Sequence, residues 1–135
     1  MMRIAAVIAL MLAFVSYAEA DSVMLMKIND VPVAVEWKDN ESVTALAESL
    51  PLSVKMHMYG GFEQVGELGR SLPRNDKRIT ASAGDIVLYS GNQIVVFYGS
   101  NTWAYTKLGK ITGKTASELA DLLGKSDVTL TLSAD

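Results

Sequence analysis

The stretch "GDIVLYSGNQIVVFYG", residues 84–99, decides the fold of this chain. Two short apolar runs flank a tight Ser-Gly-Asn turn at 90–92, which is the pattern of a β-hairpin. The second run is apolar at every position from 94 to 97, so both faces of the strand are apolar. We therefore expect the strand at 94–97 to be covered on both sides by other parts of the domain.

Alternation of apolar and polar residues predicts further strands on both sides of the hairpin. "SVMLMKI" and "VPVAVEW" form a first hairpin across an Asn-Asp turn, and "DVTLTL" closes the chain. Between them lie "LSVKMHMYG", "FEQVGEL" and "KLGKI". Together with the central hairpin, these runs indicate about eight short strands.

Two segments have the spacing of helices. In "DNESVTALAESL", either Asp39 or Asn40 can cap the helix. In "TASELADLLG", Thr115 and Glu118 form a capping box and the terminal Gly124 suits the end of the helix. The order ββα, several strands, then αβ favours a closed antiparallel barrel plugged by two helices, with the last strand pairing near the first.

The first twenty residues have the pattern of a secretory signal peptide. Arg3 precedes an apolar run from Ile4 to Val15, and a small-x-small site ends at Ala20. The apolar run is shorter than the ~20 residues that cross a bilayer. We therefore predict a signal peptide at 1–20, cleavage after Ala20, and a periplasmic or secreted domain at 21–135 that is not held in the membrane.

Composition excludes several classes of function. The net charge of −3 and the lack of a long basic run argue against nucleic-acid binding. The absence of cysteine excludes disulfides and thiol chemistry. We find no catalytic Ser-His-Asp set, phosphate loop or zinc spacing, so no cofactor is expected. The sequence carries no signal for a particular oligomeric state.

Several runs, in this order, resemble the cyclophilin barrel. "MLMKINDVPVAVEWKDNESVTALAESL" resembles its opening, "AGDIVLYSGNQIVVFYG" its central strand pair, and "LGKITGKTASELADLL" the strand that leads into its second helix. "LPLSVKMHMYGGFE" and "YTKLGKI" are more specifically similar to small prokaryotic cyclophilin-like proteins. The resemblance implies a mainly β fold, a closed antiparallel cyclophilin-like barrel of about eight strands capped by two helices.

The resemblance also implies where a binding groove would lie. Cyclophilins that isomerise X-Pro bonds place an Arg, a Phe and a Gln on outward strand positions beside an apolar pocket. With the family's Phe aligned on Phe62, its Arg falls at His57 and its Gln near Val65, one residue from Gln64. Histidine lacks the guanidinium fork of arginine, so no catalytic residue is assigned.

Three further residues match the family in part. Gln93 lies in a run that resembles the family's Ser-Gln-Phe-Phe, and Trp103 and Tyr105 fall near its Trp and His. The predicted groove is formed by His57, Phe62, Gln64, Gln93, Trp103 and Tyr105. We interpret the chain as an exported module that binds a peptide or small molecule. The alternative is a peptidyl-prolyl cis-trans isomerase with a reduced active site.

Other candidate sites have structural explanations. Four methionines on two strands, with His57 between two of them, suggest soft-metal (copper) binding: Met24, Met26, Met56 and Met58. However, period two directs these methionines to an apolar face, where Met commonly fills a core, so no metal site is assigned. We expect Glu63 and Glu67 to lie on a solvated strand edge. We expect His57 to be a surface histidine unless it lines the groove. The basic segment 69–83 is expected to be a loop that is solvated or binds an anion.

Overall fold

The structure is a computed structural model that describes residues 24–135, so the predicted signal peptide lies outside the described residues. This part of the chain forms nine strands and two helices. The strands are β1 (Met24–Ile28), β2 (Val31–Trp37), β3 (Leu52–Tyr59), β4 (Glu63–Glu67), β5 (Lys77–Ala81), β6 (Asp85–Tyr89), β7 (Gln93–Phe97), β8 (Asn101–Thr112) and β9 (Thr129–Ala134), and the helices are α1 (Glu41–Ala47) and α2 (Ala116–Leu123).

Eight of the strands close into a ring in the spatial order β2, β1, β9, β3, β4, β7, β6, β8, and β8 pairs back with β2. All of these pairings are antiparallel. The last strand, β9, lies between β1 and β3, so the predicted pairing of the last strand near the first is confirmed. The expected closed antiparallel barrel with two helices is therefore confirmed.

The inside of the ring is the main hydrophobic core. Alternate residues of the strands point inward, among them Met26, Ile94 and Leu132, and the helices contribute Leu46 from α1 and Leu119 from α2. This arrangement follows from the period of two in a strand and the apolar stripe of each helix. The two helices thus bury their apolar faces against the barrel.

The helix caps follow the sequence. Asn40 caps α1, because its Oδ1 accepts a hydrogen bond of 2.9 Å from the Val43 N–H. In α2, the Thr115 N–H donates to Glu118 Oε1 at 2.8 Å, and the Glu118 N–H donates to Thr115 Oγ1 at 3.1 Å. The predicted capping box is confirmed, and it fixes where α2 begins.

The segment expected to be an irregular loop contains a strand. Residues 77–81 form β5, and β8 begins at 101 rather than 107. The first half of β8 pairs with β5, whereas its second half pairs with β6 and β2. We call residues 77–81 and 101–105 the β5–β8 arm. β5 begins with two adjacent basic residues, Lys77 and Arg78, so its sequence does not show the apolar–polar alternation that predicts a strand.

The β5–β8 arm covers the outer face of the central hairpin. A second hydrophobic core forms there from Ala81, Val87, Val95, Phe97 and Tyr105. Inward residues of the same hairpin, such as Ile94 and Val96, belong to the main core. The prediction that the second strand of this hairpin is covered on both sides is confirmed. Within residues 24–135, neither helix is long and apolar enough to cross a membrane.

Candidate functional site

A cavity of about 870 Å³ lies on the outside of the barrel wall, beside the second hydrophobic core, and we call it the outer pocket. Its volume is within the range of small-ligand pockets. Its lining comes from β3 (Lys55, His57, Met58, Tyr59), the β3–β4 turn (Phe62), β4 (Glu63, Val65, Gly66, Glu67), β6 (Tyr89), β7 (Gln93, Val95) and β8 (Asn101, Trp103, Tyr105).

Five of the six residues predicted from sequence line this one cavity. They are His57, Phe62, Gln93, Trp103 and Tyr105. Four of them share the outward parity of their strands, and the fifth, Phe62, enters from the turn between β3 and β4. The structure therefore brings together residues that are separated by up to 48 positions in the chain.

Gln64 lies apart from the other five. Its strand parity is opposite to that of Val65, so its side chain is fully buried inside the barrel. Its Nε2 donates to the carbonyl oxygens of Leu123 at 2.7 Å and Ser126 at 2.9 Å. Gln64 thus joins the end of α2 to the barrel wall, and Val65 occupies the outward position beside it.

The floor of the outer pocket is a connected set of aromatic rings. Phe62 stacks on Phe97 with centroids 6.4 Å apart and an angle of 10° between the rings. Tyr105 contacts Phe97 edge-on at 5.6 Å and Tyr89 at 6.2 Å. Aromatic pairs in these geometries are attractive beyond their buried area. The rings of this floor are therefore held together by contacts from both the barrel wall and the β5–β8 arm.

Glycine residues let Phe62 reach this position. Gly60 has a φ of +67°, and a Cβ there would overlap Cε2 of Phe62. A Cβ on Gly99 would lie 2.8 Å from the Cβ of Phe62. The Phe62 carbonyl accepts hydrogen bonds of 2.9 Å from both the Tyr98 and Gly99 N–H groups. The aromatic floor therefore depends on two close backbone approaches that only glycine permits.

Glu63 is a buried carboxyl group at this floor, and the expectation that it lies on a solvated edge is wrong. Its side chain lies between its cross-strand neighbours Tyr59 and Phe97, and the residue is only 7% exposed. Its Oε1 has no hydrogen-bond partner among residues 24–135. Burial raises the pKa of Glu63 from its ordinary value of 4.5 to about 7. Glu67, by contrast, is exposed as expected.

The phenol of Tyr105 shares the floor with Glu63. Its oxygen accepts a hydrogen bond of 2.8 Å from Asn101 Nδ2. Burial raises the pKa of Tyr105, and the nearby Glu63 and Tyr89 raise it further, against the opposing effect of the Asn101 hydrogen bond. The hydroxyl therefore stays protonated at neutral pH and retains its own O–H as a donor.

His57 and Trp103 form the rim. The His57 side chain is 72% exposed, and its Nδ1 lies 3.2 Å from Asp127 Oδ2. Asp127 Oδ1 also accepts a 3.0 Å hydrogen bond from the Met58 N–H, which together with His57 lowers the pKa of Asp127. Trp103 is 51% exposed, and Arg78 lies 5.9 Å from its ring centroid.

The comparison with protein families decides the relationship suggested by these features. The sequence pattern of the cyclophilin-like family matches residues 26–133, which is most of the chain. The chain belongs to the cyclophilin-like family. The resemblance inferred from the sequence is therefore confirmed for nearly the whole of the described barrel.

Two solved structures share the fold of this cyclophilin-like domain. A hypothetical protein from Archaeoglobus fulgidus, solved in solution, has a TM-score of 0.63 and 17% identity, over 83% of this chain and 94% of that one. McbB, solved in complex with tryptophan, has a TM-score of 0.62 and 11% identity, over 82% of this chain and 44% of that one. No curated protein sequence matches the chain.

The methionines of this cyclophilin-like domain are mostly core residues. Met24, Met26 and Met56 are buried inside the barrel, as period two predicts. Met58 differs, because β9 pairs with β3 only up to Lys55, and its side chain is 37% exposed at the outer pocket. Within residues 24–135, no group of three or more His, Asp and Glu side chains is arranged to hold a metal ion.

The basic segment 69–83 borders a second, smaller cavity of about 380 Å³ near the start of α1. Lys38, Arg74, Lys77 and Lys107 line it. Arg74 pairs with Asp76 at 3.2 Å, and Lys107 pairs with Asp85 at 3.0 Å. Half of these cations are therefore already neutralised within the protein, which weakens the case for an anion site.

Proposed function

We propose that this cyclophilin-like domain is a binding module that holds a small molecule or a peptide side chain in the outer pocket. The observation that carries the proposal is that five of the six residues of the predicted groove line one cavity with an aromatic floor. A concave, largely apolar site with a few convergent polar groups is the usual form of a small-ligand site. The phenol of Tyr105, the amide of Gln93 and the carboxyl of Glu63 supply those polar groups.

The geometry supports binding better than proline isomerisation. The barrier to rotation about the amide is ~18–20 kcal/mol, and a catalyst needs a donor aimed at the proline nitrogen. Among residues 24–135, no arginine lines the outer pocket. His57, which falls at the family's Arg position, is exposed and tethered to Asp127. We therefore propose a module without strong catalysis, and keep a reduced peptidyl-prolyl isomerase as the second candidate.

An NMR titration of the domain 21–135 tests binding. The probes are short proline-containing peptides and tryptophan, the latter because a structural neighbour was solved with it. We expect amide shifts confined to the outer pocket, and loss of binding in Phe62→Ala and Trp103→Ala. Shifts that fall on the second cavity, or no shifts at millimolar probe, contradict the proposal.

A proline isomerisation assay separates the two candidate functions. The rate of cis-trans exchange in a short X-Pro peptide is measured with and without the purified domain. We expect no acceleration at high protein concentration. Acceleration that Phe62→Ala and Trp103→Ala abolish would establish the isomerase and overturn the accessory-module proposal.

We also propose that the domain is exported to the periplasm or the medium after removal of residues 1–20. The support is the sequence pattern alone, with its apolar run and the site at Ala20. Expression of the full chain in a bacterial host, followed by fractionation and mass measurement, is expected to yield a chain that begins at Asp21. A full-length product in the cytosol contradicts this.

A further inference from the structure

We propose that the outer pocket selects organic cations, with an ammonium or guanidinium group paired to the Glu63 carboxylate and an apolar body packed on the aromatic floor. This inference rests on the proposed binding function and names its ligand class. Three observations support the inference: the burial of the Glu63 carboxyl, the aromatic rings of the outer pocket, and the charged groups that line the pocket.

The position of Glu63 makes its carboxyl an acceptor in need of a partner. The residue is 7% exposed and lines the outer pocket. Its Oε1 is buried and has no hydrogen-bond partner among residues 24–135. A buried carboxylate is costly unless it is paired and hydrogen-bonded. A ligand that brings N–H donors and a positive charge supplies both at once.

The surrounding rings favour the same ligand chemistry. Phe62 and Tyr105 lie at the floor, and Trp103 stands exposed at the rim. The faces of aromatic rings are negative and attract ammonium and guanidinium groups. A carboxylate among such rings therefore recognises a cation more strongly than a neutral or anionic group of the same shape.

The charged side chains around the outer pocket do not neutralise the Glu63 carboxylate. The titratable and charged groups that face the outer pocket are Lys55, His57, Tyr59, Glu67, Tyr89 and Tyr105. His57 pairs with Asp127, and among the ion pairs formed within residues 24–135 none joins His57 or Lys55 to Glu63. Tyr59 is the cross-strand neighbour of Glu63. Lys55 lies four residues before Tyr59 on β3, so the backbone of Lys55 is about 13 Å from that of Tyr59 along the strand. In the part of the chain that the structure describes, Glu63 therefore faces the cavity without a neutralising side chain.

The pKa of Glu63 provides an independent signature. Since burial raises this pKa to about 7, the carboxyl is partly protonated at neutral pH. A cation binds the ionised form, so its binding releases a proton and its affinity rises with pH. We expect a gain of about 25-fold between about pH 5.5 and 7.5, because the ionised fraction of the carboxyl rises by that factor. A ligand that accepts a hydrogen bond from the protonated carboxyl gives the opposite dependence.

The test uses three probes with the same phenylethyl body and different charge: phenethylamine, 2-phenylethanol and 3-phenylpropionate. Their affinities for the domain 21–135 are measured by NMR titration, at low salt and at several pH values. We expect phenethylamine to bind most tightly. In Glu63→Gln, its affinity falls about tenfold or more, its pH dependence is reduced, and the alcohol binds as before.

A matched control is Glu48→Gln, which removes the same charge from an exposed site outside the outer pocket. We expect this variant to bind all three probes as the wild type does. Equal binding of the three probes by the wild type, or unchanged phenethylamine affinity in Glu63→Gln, overturns the cation inference and leaves the binding function standing. If no probe binds at millimolar concentration, both proposals fail.

Discussion

At the scale of single residues, Glu63 couples stability to pH. Its pKa is about 7 in the fold against an ordinary 4.5, so the folded state holds the proton more tightly. Both states are protonated below about pH 4.5, and between 4.5 and 7 only the unfolded state has lost its proton. The free energy of unfolding therefore falls as pH rises through this range and levels off above it.

Replacing Glu63 with glutamine removes this pH dependence. We expect Glu63→Gln to unfold at nearly the same urea concentration as the wild type at pH 4. At pH 8 we expect it to be more stable by up to about 3 kcal/mol, because no buried charge forms. Urea unfolding at pH 4, 6 and 8 measures the difference. A difference that is the same at all three pH values contradicts the assigned cause.

The residues at the pocket also show what alternation can and cannot predict. Period two correctly separates the outward His57 from the inward Met56. The predicted groove includes Gln64, but the structure buries this side chain inside the barrel. Period two does not say what covers an outward face. The expectation that Glu63 lies in solvent is wrong for this reason: half of the β5–β8 arm is β5, whose basic residues Lys77 and Arg78 obscure its strand pattern in the sequence.

At the scale of the elements, the Gln64 side chain links the end of α2 to the barrel wall by hydrogen bonds. Its Nε2 donates to the carbonyls of Leu123 and Ser126 at the end of the helix. In Gln64→Leu both carbonyls lose a buried donor, so we expect a loss of about 2–3 kcal/mol in the free energy of unfolding. Urea unfolding measures the loss, and hydrogen exchange is expected to quicken at the end of α2.

The matched control for this change is Gln93→Leu. Gln93 is an amide at the outer pocket and is only half buried. We expect its replacement to change stability by less than about 1 kcal/mol. If Gln64→Leu is no more destabilising than Gln93→Leu, the two hydrogen bonds do not secure α2.

Asp85 holds the junction between the β5–β8 arm and β6. The Ser82 N–H donates to its Oδ2 at 2.8 Å, and Lys107 Nζ and Lys110 Nζ lie 3.0 and 3.4 Å from its Oδ1. Burial alone would raise the pKa of Asp85, but the Ser82 hydrogen bond and the two lysines together lower it below 3.8. The charged carboxylate therefore stabilises the junction at neutral pH.

The variant Asp85→Asn keeps the shape of the side chain and removes its charge. We expect a loss of about 2 kcal/mol in the free energy of unfolding at pH 7. Because the folded pKa is depressed, the wild-type advantage is present above pH 3.8 and disappears as pH falls through the folded value. Urea unfolding at pH 7 and in strong acid tests this, and an advantage that persists in acid contradicts it.

At the scale of the whole molecule, the order of the elements predicted the fold better than it predicted the site. Three elements are marked by the local sequence: the capping box of α2, the central hairpin with its strand that is apolar on both faces, and the alternating last strand. Together these elements permit few closed arrangements of the chain. The outer pocket depends on how the long β8 divides its pairing among β5, β6 and β2. Such non-local pairing leaves no local mark in the sequence.

The closed ring itself makes the last strand essential. β9 lies between β1 and β3, and its Leu130 and Leu132 are buried in the main core. Deleting residues 128–135 removes these side chains and leaves two long open edges inside the barrel wall, which favour aggregation. We expect the shortened chain to lose cooperative unfolding, measured by circular dichroism and urea titration. Deleting only Asp135, which follows the strand, is expected to change nothing. A shortened chain that still unfolds cooperatively would mean that the β5–β8 arm and its second core fold without ring closure.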